Sequence, residues 1–245
     1  MQSYLFCYPK KYLQMNDSDI ANIIKDLKKQ YNVYKDGGRS FIQHLANKIQ
    51  NTVDEDKVLI FDFFLDEIEK NNNGLYSIAL QTIIELKQIE LAPEIERIFI
   101  KNRNVKDKKW SYVIIETLLK LNYTTPVYYD FITHYLNDNP GKGFFLLVQY
   151  CNVDPDKGVP LLSDFYSEFF QGDSQLRRFL ESRIGFLVDY FMENKQLDLG
   201  KLHKSVLTKN RMAGQSLRST LLNYFNSSLA DKYPKDLVEK ACDSL

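Results

Sequence analysis

Four stretches of this 245-residue chain have residue types and spacings that chemistry uses. Asp62 and Asp66 are spaced i, i+4 with Glu69 close behind, which puts three carboxylates along one helix face. Such a row can hold a divalent cation or supply an acid–base pair; the competing reading is a solvated acidic face. The run Lys101-Asn102-Arg103-Asn104-Val105-Lys106-Asp107-Lys108-Lys109-Trp110 ends in the only tryptophan of the chain. Bases around an aromatic ring are the elements of a phosphate-and-base contact, whereas the structural alternative buries Trp110 at the start of the next helix. The pair Tyr128-Tyr129 offers two aromatic anchors of the kind that binding surfaces use. Asn139-Pro140-Gly141-Lys142-Gly143 looks like a phosphate loop but lacks the full Gly-x-x-x-x-Gly-Lys-Ser/Thr spacing, so an inter-helix turn is expected there.

Other constellations are missing their second half. His44, His134 and His203 lie far apart, and none has a His or Cys at metal-ligand spacing. Each reads as a partly exposed helix residue, and no metal site or cofactor is expected. Ser216 follows Gly214-Gln215 without a histidine placed to act as its base. No catalytic residue is assigned on this basis. Cys7, Cys151 and Cys242 are odd in number and widely spaced, which points to reduced thiols and a cytoplasmic protein. The N-terminal apolar run precedes its charge, the reverse of a secretory signal, and no apolar stretch approaches the roughly 18 to 20 residues needed to span a bilayer.

Lys and Arg balance Asp and Glu, 32 against 32, which argues against an obligate binder of nucleic acid or anionic membrane. The balance is uneven along the chain. Residues 51–100 carry four bases against eleven acids, residues 101–110 five against one, and residues 174–245 twelve against eight. Sixteen Phe and sixteen Tyr imply helix faces filled by rings, and ten Gly with seven Pro are too few for a turn-rich β domain.

The elements that must position these residues are helices. Asp17-Ser18-Asp19 opens a helix through Ile20, Ile24 and Leu27, ended by Gly37-Gly38, and a second buries Phe41, Ile42, Leu45 and Ile49. Acids at Asp54-Glu55-Asp56 start a third, followed by a turn at Asn71-Asn72-Asn73-Gly74. Pro93, Pro126 and Pro160 then each stand ahead of an apolar helix-period segment and behind another, marking three helix pairs that repeat every 33 to 34 residues. Leu80, Ile83, Ile84 and Leu86 align with Ile115, Leu118, Leu119 and Leu121. The clearest repeats are 75–103, 111–138 and 143–170. A long helix with Phe179, Ile184 and Phe191 runs to Asn194, and Pro234 opens the last one. No linker divides the chain, so 1–245 is expected to be a single α-helical repeat domain of about twelve or thirteen helices.

This pattern resembles the HEAT-like class of α-solenoids. The resemblance implies an all-α fold in which antiparallel helix pairs stack into a right-handed α–α superhelix with an extended binding surface. With no catalytic constellation, polarised charge and surplus aromatics, the expected function is non-catalytic binding of a protein partner. Fold-level analogy points to a bacterial accessory or immunity-type protein whose acidic block at 54–96 meets a basic partner. The alternative is nucleic-acid binding, since some HEAT-like proteins of this size remove alkylated bases from DNA. Under either reading the candidate binding residues are Lys101, Arg103, Lys106, Lys108, Lys109, Trp110, Tyr128 and Tyr129, with Asp62, Asp66 and Glu69 as the acidic face.

Overall fold

The computed structural model describes residues 39–70, 75–104, 107–169, 174–194 and 196–245, together with Asn22 and Lys25. The helix expected from Asp17, the Gly37-Gly38 stop, the turn at 71–74 and Lys106 lie outside the described residues. All secondary structure among the described residues is helical, with thirteen α-helices and two short 3-10 turns. The fold is all-α. Contacts divide the chain into two compact units, Met1–Thr117 and Leu118–Leu245.

The first unit contains α1 (Arg39–Gln50), α2 (Asp54–Lys70), α3 (Leu75–Glu85), α4 (Ala92–Asn102) and most of α5 (Lys108–Lys120). Three acids fill the first turn of α2, where carboxylates favour the positive end of the helix dipole. α3 packs against both α1 and α2, and seven of its eleven residues are buried. A helix apolar on more than one side can be satisfied only by neighbours on more than one side. α2 and α4 also pack together, with Glu69 and Lys101 paired at their C-terminal ends, so the two helices run in the same direction.

α3 and α5 end in the same way. Lys87 and Asn122 both have φ of 53°. Around them Gln88 N donates to Ile83 O and Lys87 N to Ile84 O, while Tyr123 N donates to Leu118 O and Asn122 N to Leu119 O. This is the Schellman arrangement, in which a left-handed residue lets two late N–H groups reach back to otherwise unpaired helix carbonyls. The acceptors Ile83 and Ile84 are the residues that align with Leu118 and Leu119 in sequence, so these two helices match in their endings as well as in their apolar pattern.

The second unit continues with α6 (Val127–Asp138), α7 (Pro140–Val153), α8 (Pro155–Phe169), α9 (Ser174–Ser182), α10 (Ile184–Glu193), α11 (Leu199–Lys209), α12 (Arg211–Phe225) and α13 (Lys235–Ser244). Three expectations are corrected here. Asn139 caps α7 by accepting from Lys142 N at 3.2 Å, so the phosphate-loop lookalike is a first helical turn rather than a turn between helices. Pro160 lies inside α8, which opens five residues earlier at Pro155 behind the cap Asp154. The long helix ending near Asn194 is two helices, broken at Arg183 (φ −108°, ψ 10°).

A second register runs through this unit. Asn194 Nδ2 donates to Asn152 Oδ1 at 2.6 Å, Phe144 and Phe186 rings lie 6.4 Å apart, and the Ser163 and Ser205 hydroxyls are 2.8 Å apart. Each link spans 42 residues. Asn210 Nδ2 donates to Ser167 O, and Lys209 pairs with Asp164, at separations of 43 and 45. α10 therefore lies beside α7, and α11 beside α8, each pair running in the same direction. The sequence carries the register too: Gly143/Gly185, Phe144/Phe186, Asn152/Asn194, Asp156/Asp198, Gly158/Gly200 and Ser163/Ser205 are identities at 42 residues.

Glycine sets how closely these helices approach. A Cβ on Gly158 would lie 2.6 Å from Cys151 Cα, and one on Gly214 would lie 2.5 Å from Leu207 Cα. No side chain fits at either position, so α8 meets α7, and α12 meets α11, backbone to backbone.

Candidate functional site

The start of α5 decides how the basic run is used. Asp107, the only acid in the run, accepts from Trp110 N at 2.7 Å through its side chain and from Ser111 N through its carbonyl. It is the N-cap that begins the helix three residues before the tryptophan. Trp110 then turns inward. It is fully buried, its ring stacks on Phe99 at 6.1 Å and 16°, and its indole N–H donates to Ile68 O at 2.9 Å. That carbonyl belongs to α2, 42 residues earlier. Of the two readings of Trp110, burial at the start of the next helix is the one found, and both the ring and its donor are spent on the core. Lys101, Arg103, Lys108 and Lys109 are exposed around it.

The acidic and basic candidates meet at one point. Glu69 pairs with Lys101, and the hydrogen bond from that ammonium, opposed by partial burial, holds the Glu69 carboxyl below the usual carboxylate range. Asp66 pairs with Lys70 one turn along α2, which raises the Lys70 ammonium. Asp62 is half-buried. Two of the three carboxylates are thus held by lysines within the first unit. Among the described residues no cluster of three or more His, Cys, Asp or Glu is arranged to hold a metal ion.

The tyrosine pair belongs to the second unit and splits in two. Tyr128 is fully buried, its hydroxyl donates to Tyr123 O, and its ring meets the edge of Tyr150 at 5.6 Å. Only Tyr129, 47% exposed, remains as a surface anchor. Burial pushes the Tyr150 phenol up to about 12, helped by the charge and hydrogen bond of Asp154.

One of the three histidines differs from expectation. His44 and His134 are exposed, and His134 Nδ1 lies 2.7 Å from Asp130 O within its own helix. His203 is not a partly exposed residue. It is buried on α11, and neither ring nitrogen has a hydrogen-bond partner among the described residues. Desolvation lowers its pKa, with Arg218 and Lys204 acting in the same direction.

Two features escaped the sequence reading. The first is a set of exposed aliphatic side chains in the first unit: Val53, Val58, Ile89 and Ile100, each about half exposed or more. Exposed Asp54 and Glu55 follow Val53, and exposed Glu85 and Glu90 lie near Ile89 in the chain. The second is a cleft of about 490 Å³ in the second unit, lined by the end of α10, residues 196–198, the start of α11 and one side of α13. Periodicity marks residues facing a neighbour, and neither an outward valine nor a gap beside a terminal helix leaves a periodic trace. No helix among the described residues is long and apolar enough to cross a membrane. No family model, no curated protein and no solved structure matches the chain.

Proposed function

We propose that the chain is a non-catalytic protein-binding protein built from HEAT-like helix pairs, and that its first unit receives a basic protein partner. The observation that carries this reading is the combination of exposed Val53, Val58 and Ile89 with exposed Asp54, Glu55, Glu85 and Glu90. Aliphatic anchors among like-signed charges are the makings of an interface in which apolar burial supplies affinity and the charges select the partner and speed its encounter. The 42-residue register of the second unit supports the class, since HEAT and armadillo units repeat at about 40 to 47 residues. Free Cys151 and Cys242 support a cytoplasmic setting, and an accessory or immunity-type role follows from the same analogy of fold.

Affinity capture compares the wild-type chain with a Val58→Asp/Ile89→Asp variant. Proteins of net positive charge are expected on the wild type, released by about 0.5 M salt, where screening is nearly complete, and absent from the variant. Equal capture by both proteins would sink the reading. Salt-dependent binding of duplex DNA, reduced by Arg103→Gln/Lys109→Gln, would replace it with the nucleic-acid alternative, whose aromatic component Trp110 no longer supplies.

A further inference from the structure

We propose that the cleft beneath α13 binds a small amphipathic anion, with an apolar body and a single carboxylate or sulfonate head. Its volume of about 490 Å³ lies within the roughly 300 to 1,000 Å³ typical of small-molecule sites. The wall is apolar where Phe191, Leu197, Leu199 and Leu237 line it, and the first three are themselves buried and fixed. Two ammonium groups, Lys201 and Lys240, enter from opposite helices, and neither has a carboxylate partner among the described residues. One carboxylate is present, Asp198, but its Oδ1 already accepts from Gly200 N and Lys201 N as the cap of α11. The remaining electrostatics favour a negative head, and the apolar wall favours a hydrocarbon or aromatic tail.

The fold keeps this space open. A Cβ on Gly200 would lie 2.6 Å from Ser244 O, so the end of α13 touches the start of α11 backbone to backbone. Arg218 Nε fastens the same end by donating to Leu245 O at 3.0 Å. Elsewhere α13 is lightly held: none of its residues is fully buried, and Leu237 is 40% exposed. On the opposite wall, Asn194 is bonded to Asn152 and accepts from Gln196 N at 2.9 Å. The other end of α13 is tied down just before Pro234, where Lys232 and Tyr233 both donate to Asp189 of α10, so the cleft is spanned by a helix held at its two ends and loosely packed between them. This site is separate from the acidic surface of the first unit and does not depend on that reading.

The test uses the full chain and anilinonaphthalene sulfonate as the probe. Saturable, one-to-one enhancement of its emission is expected, with competition by decanoate and none by decyltrimethylammonium. Lys201→Gln/Lys240→Gln should weaken affinity about tenfold or more, the scale of losing charge-assisted contacts. Ala241→Trp, which fills the cleft and leaves both lysines in place, should abolish saturable binding while far-UV circular dichroism stays unchanged. Non-saturable emission, equal competition by the cation, or undiminished binding to both folded variants would each overturn the assignment.

Discussion

The two units differ in how closely their helices approach. In the first, the described helices contain no glycine, and the space between them is filled by large side chains: Phe64, Phe99 and Trp110 are all fully buried. In the second, helices carry Gly143, Gly158, Gly185, Gly200 and Gly214, and at Gly158 and Gly214 the backbones themselves are in contact. Both units bury large rings, Tyr128, Phe144, Tyr150 and Tyr166 in the second, but among the described helices only the second unit adds glycines at which backbones touch. Truncation should therefore be costly in the first unit, and enlargement costly in the second.

The sharpest way to break this contrast is Trp110→Ala, which removes the largest buried ring and its bond to Ile68. A loss of about 3 to 5 kcal/mol is expected, read by urea denaturation followed by circular dichroism. A loss below about 1 kcal/mol would mean that the first unit does not rest on bulk. In the second unit, Gly158→Ala should cost about 1 to 3 kcal/mol through overpacking against Cys151, even though alanine is the better helix former by about 1 kcal/mol. Gly141→Ala is the control, since its Cβ would sit 3.7 Å from the Phe179 ring in ordinary contact and stability should hold or rise. If both alanines stabilise, close approach is not what glycine provides.

His203→Leu sharpens the comparison through pH. The folded pKa of His203 lies below its ordinary value near 6.5, so at lower pH the unfolded chain binds more protons than the native one. The contribution of neutral His203 is complete above that pH and is lost as pH falls through the folded value. His203→Leu should be about as stable as the wild type or somewhat more stable at pH near 7.5, and its advantage should grow as the pH is lowered below 6.5. A constant difference across that range would show that His203 is solvated. The smallest effect belongs to the first unit, where Lys87→Gly relieves a left-handed backbone and should add about 1 kcal/mol of stability.

The fold class was legible because helical periodicity and capping chemistry are local. The apolar faces around Ile83 and Leu118, and the acids opening α2, can be read within a single turn. Pro160 misled because proline suits a first turn best, yet α8 begins at Pro155 and carries Pro160 in its interior. The 42-residue register was also present in the sequence, at Gly143/Gly185 and Asn152/Asn194. It stayed hidden because all but one of its identities across α7 and α8, Phe144/Phe186, are small or polar residues, which apolar periodicity does not mark. The candidate site was the least legible part. Trp110 stands out in the sequence as the ring of a basic run and Tyr128 as an aromatic anchor, yet their N–H and O–H groups are consumed by backbone carbonyls, of Ile68 and Tyr123. For Trp110 that carbonyl lies on a helix 42 residues away, which no local pattern records, whereas for Tyr128 it lies only five residues back.

The bonds joining Asn152 to Asn194 and Ser163 to Ser205 link like to like. An amide and a hydroxyl each carry donor and acceptor together, so a residue can bond a copy of itself, which a lysine or a carboxylate cannot. A helix pair bearing such residues is its own counterpart. Copied along the chain, it arrives with the means to adhere to its template, and the array can lengthen before any new contact has evolved.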